Sequence, residues 1–225
     1  MEGGGGNAMK IEIGSQKPEH FTTYWPGQYE VFSHFEYACG IPSILHAVTT
    51  VKENGKANVN FNFSGSFTGD GDGFFAIIPI YRHTHTYKNI LRTGEFVVNF
   101  INKEYFDACA ATINHNDDET DEFEAGGLHK EQAITVACPR MQEAFLSLEC
   151  RFEREIDLSG SGRASLIIGK VNHIALEKGY SKGIDGKYED SGLMLNIHAP
   201  KNLITGEGKP SAVAVCKVVR VNEEG

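Results

Sequence analysis

Arg82, His83, Thr84, His85, Thr86 and Asn89 crowd into one stretch, Tyr81 to Asn99 (YRHTHTYKNILRTGEFVVN), and all of them offer hydrogen-bond donors. Either Thr84 or Thr86 can cap a helix start. Tyr87, Ile90 and Leu91 recur at the three-and-four spacing of a buried helical face, and Gly94 stands where a helix end favours a left-handed residue. The spacing predicts a helix over Tyr87 to Arg92. The first amides of such a helix, at the positive end of its dipole, attract an anion when donors gather beside them, so this corner is a candidate phosphate holder. The same residues also read as a capped helix with no ligand. His83 and His85 stand two apart, which on a strand would turn both rings to one side and begin a metal site. His46, His115, His129, His173 and His198 add no ligand spacing, and no metal is expected. Thr68 to Gly73 (TGDGDG) hints at a calcium loop but lacks the third acid and the distal glutamate, and reads as a strand connection.

The elements around this corner are strands. Two-residue alternation with β-branched and aromatic residues marks Ser43 to Val51, Ala57 to Phe63, Phe74 to Tyr81, Glu95 to Ile101, Ser147 to Ile156, Ser165 to Leu176 and Ala212 to Val219. Glu53-Asn54-Gly55 and Ser159 to Gly162 supply the positive φ of tight hairpins, so neighbouring strands run antiparallel. The expected fold is mainly β, a small antiparallel barrel or sandwich. Besides the helix at Tyr87, a helix over Lys103 to Ala111 and a turn through Pro139 to Phe145 are expected on its rim. The acidic run from Asn114 to Glu131 reads as a solvated loop with a helix start, and Tyr180 to Ser191 as a mobile surface loop.

A chain of 225 residues, 40% hydrophobic and 23% charged, suits one globular domain over 9–225. The opening MEGGGGNA reads as a remnant outside the fold, with Met9 as a candidate natural start. A formal charge of −9 disfavours nucleic acid and anionic membrane as partners, and means that any anionic ligand must be held by local donors. Neither a long apolar run nor a secretion leader is apparent, and a cytoplasmic protein is expected. Cys39, Cys109, Cys138, Cys150 and Cys216 show no paired spacing and read as buried thiols.

The order of motifs carries a further signal. Pro42 to Thr50 (PSILHAVTT), the Glu53-Asn54-Gly55 turn, Asn58 to Phe67 (NVNFNFSGSF), Thr86-Tyr87-Lys88-Asn89-Ile90 and Gly94 to Asn99 (GEFVVN) follow one another, and Asp121 to Leu128, Cys138 to Ala144 and Leu148-Glu149-Cys150 come after. In this order the chain resembles the flavin reductase-like, FMN-binding split-barrel family over roughly residues 40 to 178. One departure stands out: many relatives carry Ala-Pro-x-Ser where this chain has Asn60-Phe61-Asn62-Phe63-Ser64.

The resemblance implies an antiparallel Greek-key split barrel that binds FMN without a covalent bond. It implies hydride transfer from NADH or NADPH to the flavin and electrons passed onward, or else a flavin-binding electron carrier or sensor with no nicotinamide site. For the phosphate, the candidates are Ser64, Gly65 and Ser66, with the register among them open, and Arg82, Thr84, Thr86 and Asn89 opposite, with His83 or His85 beside them. For the ring they are Thr49, Thr50, Asn58, Val59 and Asn60, on two adjacent strands. Phe123 and Gly127 to His129 are expected at the pocket mouth, and His46 and His129 are candidates for substrate contact. No acid or base is assigned, because the cofactor carries the chemistry. Split barrels of this kind pair, so a homodimer is expected, with a redox protein as a further partner.

Overall fold

Alternating strands build the largest element of the computed structural model, which describes residues 9–183, 187–188, 192–208 and 212–219. The chain divides into two compact units, Met1–Pro42 with Asn196–Val213 and Ser43–Leu195 with Ala214–Gly225. In the smaller unit two short helices, α1 (Gln28–Val31) and α2 (His34–Cys39), carry no expectation from the sequence. Ser33 caps the second by accepting from the Phe35 amide, and Gly40 ends it with φ 57°. Edge-to-face contacts among Tyr29, Phe32, Tyr37 and His198 fill its interior.

The larger unit begins with β1 (Ser43–Ile44), then β2 (His46–Val51), β3 (Ala57–Asn62), β4 (Ser66–Asp70) and β5 (Gly73–Tyr81). Helix α3 (His85–Thr93) leads into β6 (Glu95–Ile101). A 3₁₀ turn at Lys103–Tyr105 precedes α4 (Phe106–Thr112), and α5 (Glu122–Gly126) follows the acidic run. A small hairpin of β7 (Lys130–Glu131) and β8 (Arg140–Met141) precedes the long strands β9 (Ala144–Ile156) and β10 (Ala164–Leu176). Two short strands, β11 (Met194–Ile197) and β12 (Ala212–Val215), complete the described elements.

Seven of these strands form one sheet in the order β3-β2-β6-β9-β10-β5-β4. Asn62, on the outer strand β3, donates to Pro79 O in β5 at 3.1 Å, so opposite ends of the order meet and the sheet curls toward closure. Val48, Ile78, Ile80, Phe96, Val98, Phe100, Leu148 and Ile167 fill the interior. Gly169 is required there: a Cβ would lie 2.3 Å from Phe96 Cζ, at a register shift in β10.

Several expectations are corrected. Ser66–Asp70 is a strand, paired with β5 through a tight turn at Gly71, whose φ is 57°. In α3 the buried face is Thr86, Asn89 and Ile90, whereas Leu91 is exposed; the helix turns partly polar residues inward because they have partners there. His83 and His85 do not share a strand: His83 lies in a turn and His85 opens α3. Ala212–Val215 is a shorter strand than read. Tyr180, at the start of the expected mobile loop, is buried and stacked on Phe145 at 4.4 Å. Residues 184–186 and 189–191 of that loop, and residues 1–8, lie outside the described residues.

Candidate functional site

Alternation decides which side chains can meet. In the β2–β3 register His46 opposes Asn62, Val48 opposes Asn60 and Thr50 opposes Asn58, so these six share one face, and α3 lies against it. Asn89 Nδ2 donates to Thr50 Oγ1 at 3.0 Å, with both residues buried. Asn58 meets Thr86 at 2.9 Å. Glu122 can only accept, so the Asn58 amide nitrogen belongs on its side, 3.2 Å from Oε1, and the Asn58 oxygen accepts from the Thr86 hydroxyl. Four of the candidates, Thr50, Asn58, Thr86 and Asn89, are therefore the staples that hold the helix start to the two strands.

Thr84 provides the cap: its Oγ1 accepts from Tyr87 N at 3.3 Å and donates to Tyr81 O at 2.7 Å. The amides of His85 and Thr86, next in line, have no hydrogen-bond partner among the described residues. His85 Nε2 lies 3.2 Å from Asp118 Oδ1, while its Nδ1 is buried and unpartnered. His83 is exposed. A helix start with two unspent amides and an imidazole beside them is chemically suited to an anion.

Arg82 is placed otherwise than the sequence suggests. Its Nε donates to Ser165 Oγ at 2.7 Å, and its guanidinium faces Glu155 and Asp157 at 3.6 and 3.7 Å. The Asp157 carboxyl is held below its ordinary range first by the Gly162 amide. Most of the positive charge of Arg82 is thus answered within the hairpin between β9 and β10. Strand register also separates the two proposed halves of a phosphate grip: Ser66 pairs with Ile77, five residues from Arg82 along β5 and its continuation, or about 16 Å of extended chain. Gly65 instead packs against His46, where a Cβ on it would lie 3.1 Å from Cε1, at the end of β2 away from Thr50.

Thr49 and Val59 turn to the opposite face. Thr49 donates to Pro139 O at 2.6 Å and accepts from Asn99 Nδ2 at 3.2 Å, and the Val59 amide is taken by Glu122 Oε2 at 2.7 Å. Neither can present these groups to a ligand on the α3 side. Asn60 stays half-buried between the stapled Asn58 and Asn62, with no hydrogen-bond partner for its side-chain amide among the described residues. Phe123 is only 1% exposed, so it cannot line a pocket mouth; Lys130 Nζ lies over its ring. His129 is exposed, and its Nδ1 lies 2.7 Å from Glu143 Oε1.

Sequence reasoning missed Lys52 and Glu122. They form a buried pair at 3.0 Å, and Lys52 Nζ also donates to the Asp117 and Thr120 carbonyls at 2.6 and 2.9 Å. Burial pulls the Glu122 carboxyl above its ordinary range, against the Val59 amide and Lys52. The pair fastens the acidic stretch beside α3, and Glu122 was hidden in a run of acids that all look solvated.

Comparison with known proteins matches this architecture. A protein of Aquifex aeolicus without an assigned function is 39% identical over 71 residues, which are 32% of this chain and 36% of that protein. The chain thus spans little more than a third of that relative. Among solved structures, nitrilotriacetate monooxygenase component B from Bacillus cereus superposes with a TM-score of 0.72 at 20% identity, covering 94% of this chain and 100% of that one. The flavoredoxin of Desulfovibrio vulgaris (Miyazaki F) gives 0.61 at 12% identity, over 81% and 92%. At such identities they show the fold, the split barrel of flavin reductases. The family described as "Flavin reductase like domain" matches residues 39–192, more than half of the chain and the whole of the site, and the protein therefore belongs to the flavin reductase-like family.

Proposed function

We propose that the protein binds FMN non-covalently and works as an oxidoreductase of the flavin reductase type, using NADH or NADPH and passing electrons to a further acceptor. The observation that carries this reading is the start of α3, where the His85 and Thr86 amides are unspent beside the Thr84 cap. These amides and the exposed His83 suit a phosphate, and the half-buried Asn60 amide suits a ligand laid along β3. Ser64 to Ser66, beside the other end of β2, then serve the head of an extended ligand rather than its phosphate. When bound, FMN supplies the hydride and electron chemistry. The chain's own part is to fix the helix start through Asn58, Thr86, Thr50 and Asn89, and to offer oriented donors without rearrangement.

Freshly purified protein should be yellow, and its flavin should bleach anaerobically with NADH or NADPH. A colourless protein that does not take up added FMN overturns the reading. The likeness to a flavoredoxin supports a second one, an electron carrier without a nicotinamide site. In that case only dithionite or a redox protein bleaches the flavin. A homodimer belongs to the same proposal and is checked by sedimentation.

A further inference from the structure

His46 is fully buried, and its Nε2 has no hydrogen-bond partner among the described residues. Its Nδ1 lies 3.1 Å from Ile44 O. A carbonyl oxygen can only accept, so Nδ1 carries the ring proton and Nε2 is a bare lone pair. Burial pushes the imidazole down to about 4, which keeps it neutral at physiological pH. A buried acceptor with no donor costs its full desolvation, and folded proteins rarely leave one so.

The position of the ring says where a donor would come from. His46 pairs in register with Asn62 and shares the face of Asn60. Gly65 packs against it, since a Cβ on that residue would be 3.1 Å from His46 Cε1. Phe67 and Phe100 hold the ring from the sides, with centroids 5.6 and 6.0 Å away. Gly65 is itself half-buried and Ser66 is exposed. The lone pair is thus buried at the His46 end of β2, away from α3, with the half-buried, side-chain-free Gly65 against its ring and the exposed Ser66 next along the chain.

We propose that His46 Nε2 is a specificity-determining acceptor, taking a hydrogen bond from a donor on the bound flavin, either its imide N–H or a ribityl hydroxyl. The assignment rests on the FMN reading above. It selects for a head group that carries an N–H or O–H, and it moves no proton. Phe67 and Phe100, the aromatic neighbours of the ring, bring no charge that would turn the imidazole into a donor.

The test titrates FMN, N3-methyl-FMN and an FMN analogue without ribityl hydroxyls into the wild-type protein and into His46→Leu. FMN should bind His46→Leu about five- to tenfold more weakly, the worth of one neutral hydrogen bond. The analogue that lacks the relevant donor should bind both proteins alike, which tells the imide from the hydroxyl. In wild-type protein with ¹⁵N-labelled histidine, the His46 Nε2 resonance should move upfield on FMN addition. That measurement decides the matter if His46→Leu does not fold. Equal FMN affinity for the two proteins, or an Nε2 resonance that FMN leaves in place, overturns the assignment and gives the lone pair to an internal water. Failure of the wild-type protein to bind FMN overturns the FMN reading as well, and is recognised by the absence of any flavin titration.

Discussion

Two polar clusters lie on opposite faces of β2, and they differ in how fully the protein satisfies them. On the Thr49 face, Asn99 Nδ2 donates to Thr49 Oγ1 and its Oδ1 accepts from Met141 N and Ser147 Oγ, at 3.0 and 2.9 Å. Glu149, fully buried, accepts from the Ile134 and Thr135 amides and from the Thr135 hydroxyl, with Arg140 at 3.4 Å. These bonds strap residues 132–141 across the sheet. On the α3 face, Thr50 and Asn58 are satisfied in the same way, but His46 Nε2, His85 Nδ1 and two helix amides are not. Buried polar density is common to both faces. On the Thr49 face the buried group without a hydrogen bond among the described residues is Arg140 Nε, which lies 3.1 Å from Glu131 Oε2. On the α3 face the unmet groups, two imidazole nitrogens and two amides, face no such countercharge at that distance except through His85 Nε2.

The sharpest break of this contrast is Glu149→Ala. It strands Arg140 and two amides in a dry region, so it should cost about 3–5 kcal/mol of stability, the usual loss when one partner of a buried ion pair is removed. Under native conditions it should leave FMN affinity untouched. Denaturant melts and a flavin titration on the same preparation check both halves. A loss of FMN affinity in folded protein would show that the two faces are coupled. Burial pulls the Glu149 carboxyl up, but the Thr135 hydroxyl and the Ile134 and Thr135 amides outweigh it and hold the group below its ordinary range. Its stabilisation is therefore present above the unfolded value and fades as pH falls through the folded one.

A second prediction concerns the other face. His46 is lowered from 6.5 to about 4, so the unfolded chain binds a proton that the folded protein refuses. Stability contributed by the neutral ring is complete above pH 6.5 and falls as pH drops toward about 4, by on the order of 3 kcal/mol in all. Melts between these pH values, compared with His46→Leu, isolate the effect, because the leucine variant loses that one-proton slope. Parallel curves for the two proteins would mean that the ring is protonated in the folded state.

Much of the fold was legible because strand burial is periodic. The seven strands of the main sheet include six that the alternation marked, four of them to within one residue at each end, and the hairpins at Asn54-Gly55 and at Ser159 to Gly162 follow from turn chemistry. Ser66–Asp70 was not legible, since it runs into Thr68 to Gly73, whose three glycines and two acids look like a loop, and only pairing with β5 makes residues 66–70 a strand. For the site, the helix start was readable from Thr84, Gly94 and their spacing. The use of its polar residues was not: Thr86 and Asn89 read as ligand groups but serve as staples, because a side chain's partner across the sheet depends on register. Thr49 illustrates the same limit, being next to Thr50 in sequence and on the other face in space.

Asn60→Ala tests the α3 face with little disturbance. Its amide has no hydrogen-bond partner among the described residues, so stability should stay within about 0.5 kcal/mol, the range of a substitution that touches no special feature. FMN affinity should fall by about 1 kcal/mol if the amide meets the ligand. Calorimetric titration reads the loss, and no change would move the ligand off β3.

Arg82→Ala is the finest discrimination. Direct contact with a phosphate would make this change cost on the order of 1–3 kcal/mol through a lost charge-assisted bond, at any salt concentration. The structure instead commits Arg82 to Ser165, Glu155 and Asp157, so its removal acts by exposing two carboxylates whose field opposes an anion bound at α3. That effect is long-range and should amount to about 0.5 kcal/mol at low salt, shrinking further as the screening length drops toward 3 Å near 1 M. FMN titrations of wild type and Arg82→Ala at low and high salt separate the two cases. A salt-independent loss would return Arg82 to the phosphate, whereas a loss that salt erases confirms that the helix amides hold the anion and that the guanidinium only keeps its acidic neighbours quiet.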